Sequence, residues 1–246
     1  MFKIGNWPPL RAFLLESLMN TVTPSLFCAG DLSSAKILMV GHDRRLRRSQ
    51  TMADAPFFAD YFLRPIPTQR AELAKYKLAE ALFAYVGAMT SYAFPAASVA
   101  ITNLCNSPLP HSPTGKIVLI PREEAQAGIE HLRDIVNQSS IHLIFAMSEQ
   151  VNYWIQELRF STPNNEFLRH AAPRKKGIDS DPPYYEPSKP GAFRLICGTR
   201  LTSSKGVSLY PVVHVKNWPL NARFARAYGT SYVRMISELK RPEVGA

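Results

Sequence analysis

Residues Ile37 to Val40 form an uncharged apolar run that leads into Gly41-His42-Asp43 and then into four arginines, Arg44, Arg45, Arg47 and Arg48. A short apolar run closed by glycine and polar groups reads as a buried parallel strand, which is covered on both faces and so has no polar face to alternate with. Parallel strands need long crossover connections, and this one feature points the chain to an α/β architecture. Open α/β sheets carry their chemistry just beyond the carboxyl ends of such strands. Asp43 therefore stands where a catalytic carboxylate would stand, and the arginines stand where they would hold a phosphate backbone. The plainer reading of the same residues is a turn or helix cap at Asp43 and a solvated surface turn of arginines.

The rest of the chain alternates helices with three further strands. Trp7-Pro8-Pro9 precedes an expected helix over Leu10 to Met19, with Leu14, Leu18 and Val22 as its apolar stripe. Asp31 to Ser34 reads as a polar turn into the first principal strand, and Ala55-Pro56-Phe57-Phe58 as a loop. Leu78, Leu82, Tyr85 and Met89 recur at helical spacing within Arg70 to about Tyr92, and Pro95 ends that helix. Ser98 to Asn103 reads as a strand ending on Asn103. Pro121 suits the first position of a helix, with Glu123 and Glu124 where the dipole favours acids. Its apolar face is Ala125, Ile129, Leu132 and Val136. Ile141 to Met147 is a third strand, and Ser148 caps a helix carrying Val151, Ile155 and Leu158.

Six prolines, Pro163, Pro173, Pro182, Pro183, Pro187 and Pro190, make residues 161–192 the least regular part. The expectation is one domain over residues 1–246 with a long irregular insertion at about 161–206. Phe193 to Cys197 reads as a short strand, Val207 to His214 as the fourth principal strand, and Ser231 to Lys240 as a closing helix. The four principal strands thus lie near Val40, Ile101, Phe145 and Val213. Three of them end on polar groups, Asp43, Asn103 and His214, which a parallel sheet can bring to one crevice.

The net charge is +10, and the two halves share it: twelve basic against seven acidic residues in 1–120, seventeen against twelve in 121–246. With a pI near 9.6 this suits an anionic partner, nucleic acid before an acidic membrane surface. Cys28, Cys105 and Cys197 are scattered and form no C-x-x-C pair, which leaves zinc-ribbon and iron–sulfur spacings unsupported and suits a reducing cytoplasm. No charged residue occurs between Ala81 and Gly115, but Pro95 interrupts the stretch. It reads as a helix end, a turn and a buried strand, with no membrane span.

Four motifs in order resemble the uracil-DNA glycosylase superfamily. They are ILMVGHD, similar to a strand followed by GQDP; Pro56-Phe57, like a proline–aromatic element; AITNL, like a strand ending in asparagine; and VVHVKNWPL, like a strand followed by HPS. The resemblance spans about residues 30–240. It implies a three-layer α/β/α sandwich around a central, mainly parallel four-stranded sheet, with no cofactor or metal. The implied activity is excision of uracil or a related deaminated base from DNA, the partner being single- or double-stranded DNA and the protein a cytoplasmic monomer.

The resemblance also assigns roles. A base must leave the stack before its glycosidic bond can be cut. Asp43 would stabilise the developing sugar cation and orient water, and His214 would donate to the departing base. Asn103, whose amide offers a donor and an acceptor, would read a uracil edge. Phe57 would stack on the ring, and Gly41 and His42 would complete the base site. Arg44, Arg45, Arg47, Arg48 and Lys216 would contact phosphates, with Trp218 or Leu220 as the wedge. Two departures stand out: Arg44, Arg45 and Leu46 replace the family's proline, tyrosine and histidine, and Val215 and Lys216 replace its proline and serine. They make a DNA-binding relative without catalysis the alternative. A different α/β hydrolase is the third reading, but the chain has no G-x-S-x-G, phosphate-loop or G-x-G-x-x-G pattern.

Overall fold

The computed structural model describes residues 22–23, 28–43, 78–90, 94, 96–106, 109, 119–162, 174–176, 184–186, 197–198, 200–203, 206–215, 234, 235, 237 and 239. In chain order the elements are β1 (Val22–Thr23), β2 (Cys28–Ala29), β3 (Ile37–Asp43), α1 (Leu78–Thr90), β4 (Val99–Cys105), α2 (Arg122–Asn137) and β5 (Leu143–Met147). They continue as α3 (Glu149–Glu157), β6 (Ser161–Thr162), β7 (Arg174–Lys176), β8 (Tyr184–Glu186), β9 (Leu201–Ser203) and β10 (Ser208–Val212).

The apolar run at Ile37 forms β3, and β3 pairs in parallel with β4 on one side and β5 on the other. β10 adds to β5, also in parallel. The four strands expected from the sequence are therefore the centre of the sheet, in the order β4-β3-β5-β10. A polar turn sets the start of β3: the backbone N–H and hydroxyl of Ser33 both donate to Asp31 Oδ1, at 2.9 and 2.7 Å. Those bonds hold the Asp31 carboxyl below its ordinary range.

The sheet is wider and more mixed than expected. Among the described residues it has eight strands, with β1 and β2 added beyond β4, and β9 and β6 beyond β10. All four additions pair antiparallel. They are two or three residues long, too short for a period-two pattern to register in the sequence. Val22 is one of them: it lies opposite Ala29 in a strand, not on the expected helical stripe. Within 161–206, where irregular chain is expected, the described residues form β6, β9 and a separate β7–β8 pair.

Alternate residues of the central strands face opposite ways, and each set meets its own helices. Ile37, Met39, Val99, Ile101, Leu143, Phe145 and Val212 pack in one cluster with Leu78, Leu82, Tyr85, Val86 and Met89 of α1. Leu38, Val40, Ala100, Ile144 and Ala146 pack in a second with Ile129, Leu132 and Ile135 of α2 and Val151, Trp154 and Ile155 of α3. Helices thus cover both faces of an α/β sheet. The charge-free stretch from Ala81 resolves, among the described residues, into α1, a 3-10 turn at Ala96–Ser98 and β4. No helix among them is long and apolar enough to cross a membrane.

α2 sits unusually close to the sheet. A Cβ at Gly128 would overlap the carbonyl oxygen of Leu104 in β4. Glycine costs about 1 kcal/mol in a helix interior relative to alanine, and here it permits the helix to touch the strand backbone. Gly128→Ala is therefore expected to destabilise the protein despite its better helix propensity, by about 1–3 kcal/mol. Urea denaturation measures this, and a stabilised variant would show that the close approach is not needed.

All three cysteines are free and buried. Burial pushes the Cys28 thiol up to about 12 from 9.0, and raises Cys197 as well. The folded protein therefore keeps the Cys28 proton over a pH range where the unfolded chain loses it. Its contribution is intact below pH 9 and lost as pH rises from 9 towards 12. Ellman titration at pH 8 is expected to find Cys28 and Cys197 unreactive until denaturant is added.

Candidate functional site at the carboxyl edge of the sheet

The chain passes from β3 to β4 on one side, then returns across β3 to β5 on the other. The helices that follow β3 and β5 lie on opposite faces: α1 in one cluster, α3 in the other. Between the carboxyl ends of β3 and β5 the two crossovers diverge, and an open α/β sheet usually takes its ligand in the crevice at such a point. The residues at this edge come from four strands.

β4 supplies Asn103. The sequence suggests that the strand stops there, but the apolar pair Leu104-Cys105 carries it two residues further. Asn103 therefore lies inside the ladder, opposite Gly41 of β3. It is buried, only 4% exposed. Its side chain lies across the Gly41 backbone, and a Cβ at position 41 would overlap Asn103 Oδ1. The glycine of the GHD motif thus makes room for the asparagine of the neighbouring strand. Among the described residues, Asn103 Nδ2 has no hydrogen-bond partner. Leaving an amide donor buried and unpaired costs about 1–3 kcal/mol. A ligand acceptor at that point would recover the cost.

β3 ends on Asp43, whose backbone stands opposite Cys105. His42 before it is half-buried. β5 ends at Met147, and Ser148 turns the chain into α3. Ser148 holds φ 111° and ψ 155°, a conformation that glycine adopts freely and other residues do not. Two bonds hold it there. Its backbone N–H donates to Val212 O at 3.2 Å, and its Oγ accepts from Val151 N–H at 3.3 Å. The expected cap is therefore present, and nothing in the sequence signals the strain it carries.

β10 stops at Val212, two residues short of His214. Val213 and Val215 are buried in the α1-side core, and His214 between them is half-buried. At a strand spacing of about 4.8 Å, His214 leaves the sheet about 10 Å from β3 and about 14 Å from β4. It and Asn103 thus flank the crevice from opposite sides. Asn106, just past β4, is a further buried amide that the sequence did not single out. It is 9% exposed, and neither of its side-chain polar atoms has a partner among the described residues.

The structure accordingly sets Asn103 against Gly41 on the α1 side of the sheet, with His42, next along β3, on the opposite face, the Asp43 backbone beyond it and His214 across the crevice. Phe57, Arg44, Arg45, Arg47, Arg48, Lys216, Trp218 and Leu220 lie outside the described residues. Among the described residues, no three His, Cys, Asp or Glu side chains group as metal ligands. What these elements define is a mixed α/β protein with polar residues at the carboxyl edge of its parallel strands. No family model matches the chain, and no curated protein matches it.

Asn103→Leu separates a ligand-reading amide from a structural one. The substitution removes an unpaired polar group at similar volume, so stability is expected to hold or rise by up to about 1–3 kcal/mol. Gly41→Ala is expected to keep the fold and displace only the amide, because the overlapping atom is a side-chain end. Chemical denaturation checks both, and a large loss in Asn103→Leu would show that the amide supports the fold.

Proposed function

We propose that the protein binds DNA and releases an extruded uracil, or a related deaminated base, by hydrolysing its N-glycosidic bond. The observation that carries this reading is the buried Asn103 amide, seated over Gly41 with Nδ2 unpaired among the described residues, near the edge where an α/β sheet takes its ligand. A base carbonyl is the acceptor such a donor suits, and the Oδ1 acceptor beside it suits a ring N–H. The order of the other groups supports the same reading. Asp43 ends β3, Asn103 lies on β4 and His214 follows β10, the sequence in which the resembling motifs occur.

In this mechanism the base rotates out of the stack into the crevice. The bond from C1′ to the base nitrogen breaks, leaving positive charge on the sugar and negative charge on the base. Asp43 offsets the first and orients water, whose oxygen bonds C1′ while the proton it loses passes to the carboxylate and then to the departed base anion. His214 donates to the base carbonyl and offsets the second. Arg44, Arg45, Arg47, Arg48 and Lys216 hold the backbone, Phe57 stacks on the ring, and Trp218 or Leu220 fills the gap in the stack. The net charge of +10 suits the polyanion.

The replacement of the residues after Asp43 and after His214 favours a second reading: a DNA-binding relative that kept the fold and lost the chemistry. Single-turnover assays on uracil-containing single- and double-stranded oligonucleotides at low salt separate the two. Alkali-labile sites are expected with the wild type, with Asp43→Asn and His214→Ala each reducing release by at least about 10²-fold. Salt-dependent binding without release would favour the second reading. Equal release by wild type and both variants would remove Asp43 and His214 from the mechanism.

A further inference from the structure

Beyond β10 the chain leaves the sheet, and the Val213 carbonyl has no strand neighbour in the ladder. Val213 is buried, so that carbonyl needs a donor from elsewhere in the fold. α1 supplies it: the Tyr85 hydroxyl donates to Val213 O at 2.9 Å, across 128 positions of sequence. Tyr85 is 1% exposed and sits in the apolar cluster on that face. In such surroundings a phenylalanine would fill the same volume without burying a hydroxyl. The hydroxyl is therefore informative, because it donates to a backbone atom one residue before His214.

We infer that Tyr85 is a positioning residue for His214. The bond fixes the backbone at Val213, and the burial of Val215 fixes it on the other side. His214 is held between two anchored residues at a set distance from the β3 end. Tyr85 touches no reacting atom, and its effect passes through the peptide unit it holds. The inference rests on the glycosylase reading for what His214 does, but the restraint itself is independent of that reading. It also joins the crossover that follows β3 to the exit of β10, the segment carrying His214.

Tyr85→Phe tests this, since it removes one oxygen and keeps the ring. Hydrogen exchange of the His214 and Val215 amides is expected to speed up by at least about tenfold, while exchange in β3 and β5 stays as in the wild type. Single-turnover release is expected to slow by about tenfold, with the oligonucleotide dissociation constant within about twofold, as for a misplaced catalytic group. Unchanged exchange at 214 and 215 would overturn the inference. So would a rise spread evenly over the sheet, or faster local exchange with release unaltered. A wild type that releases no base would instead sink the glycosylase reading, and the exchange measurement would still decide whether Tyr85 restrains this segment.

Discussion

The parallel ladder on both sides of β3 is the constraint from which the rest of the molecule follows. A strand paired in parallel on each edge and covered on each face has no direction open to water. Where both edges are paired, from Ile37 to Val40, its side chains must be apolar, and all four are fully buried. Its neighbours must be reached by crossovers, which places α1 on one face and α2 and α3 on the other. Once that is settled, the polar residues that end the run can only lie at the carboxyl edge.

Two departures from local preference cluster around that ladder, and both make sense as consequences of close packing. Gly128 weakens its own helix so that α2 can meet the backbone of β4. Gly41 leaves open the space that Asn103 takes. At the same edge Ser148 holds a conformation that its side chain does not favour. Strained and underpacked positions tend to gather at functional sites because elsewhere the fold has nothing to gain from them. Here they gather where an open α/β sheet binds its ligand.

The apolar pattern made much of this legible. Leu78, Leu82, Tyr85 and Met89 recur at helical spacing and all four are buried on α1. The strands near Val40, Ile101, Phe145 and Val213 are the four central ones, and Ser148 caps α3 as its type suggests. Other features left no mark. β1, β2, β6 and β9 are too short to carry a period. The end of β4 falls two residues beyond Asn103 because leucine and cysteine extend the strand without altering its pattern. Tyr85 reads from the sequence as one more apolar stripe residue, since the partner of its hydroxyl is 128 positions away.

By itself the sequence determined the class of fold and where its principal strands lie along the chain. Those follow from runs of apolar residues, which depend on near neighbours along the chain. It also marked Gly41, Asp43, Asn103 and His214 as polar punctuation at or near the ends of those runs. Only the tertiary structure decided which of them meet. Strand order is a choice among pairings that local pattern leaves equal, and it set Gly41 opposite Asn103 while keeping His214 across the crevice. The unpaired amide of Asn103, the strain at Ser148 and the bond from Tyr85 to Val213 exist only once distant segments are packed together. Burial and pairing are properties of surroundings, and the surroundings form on folding.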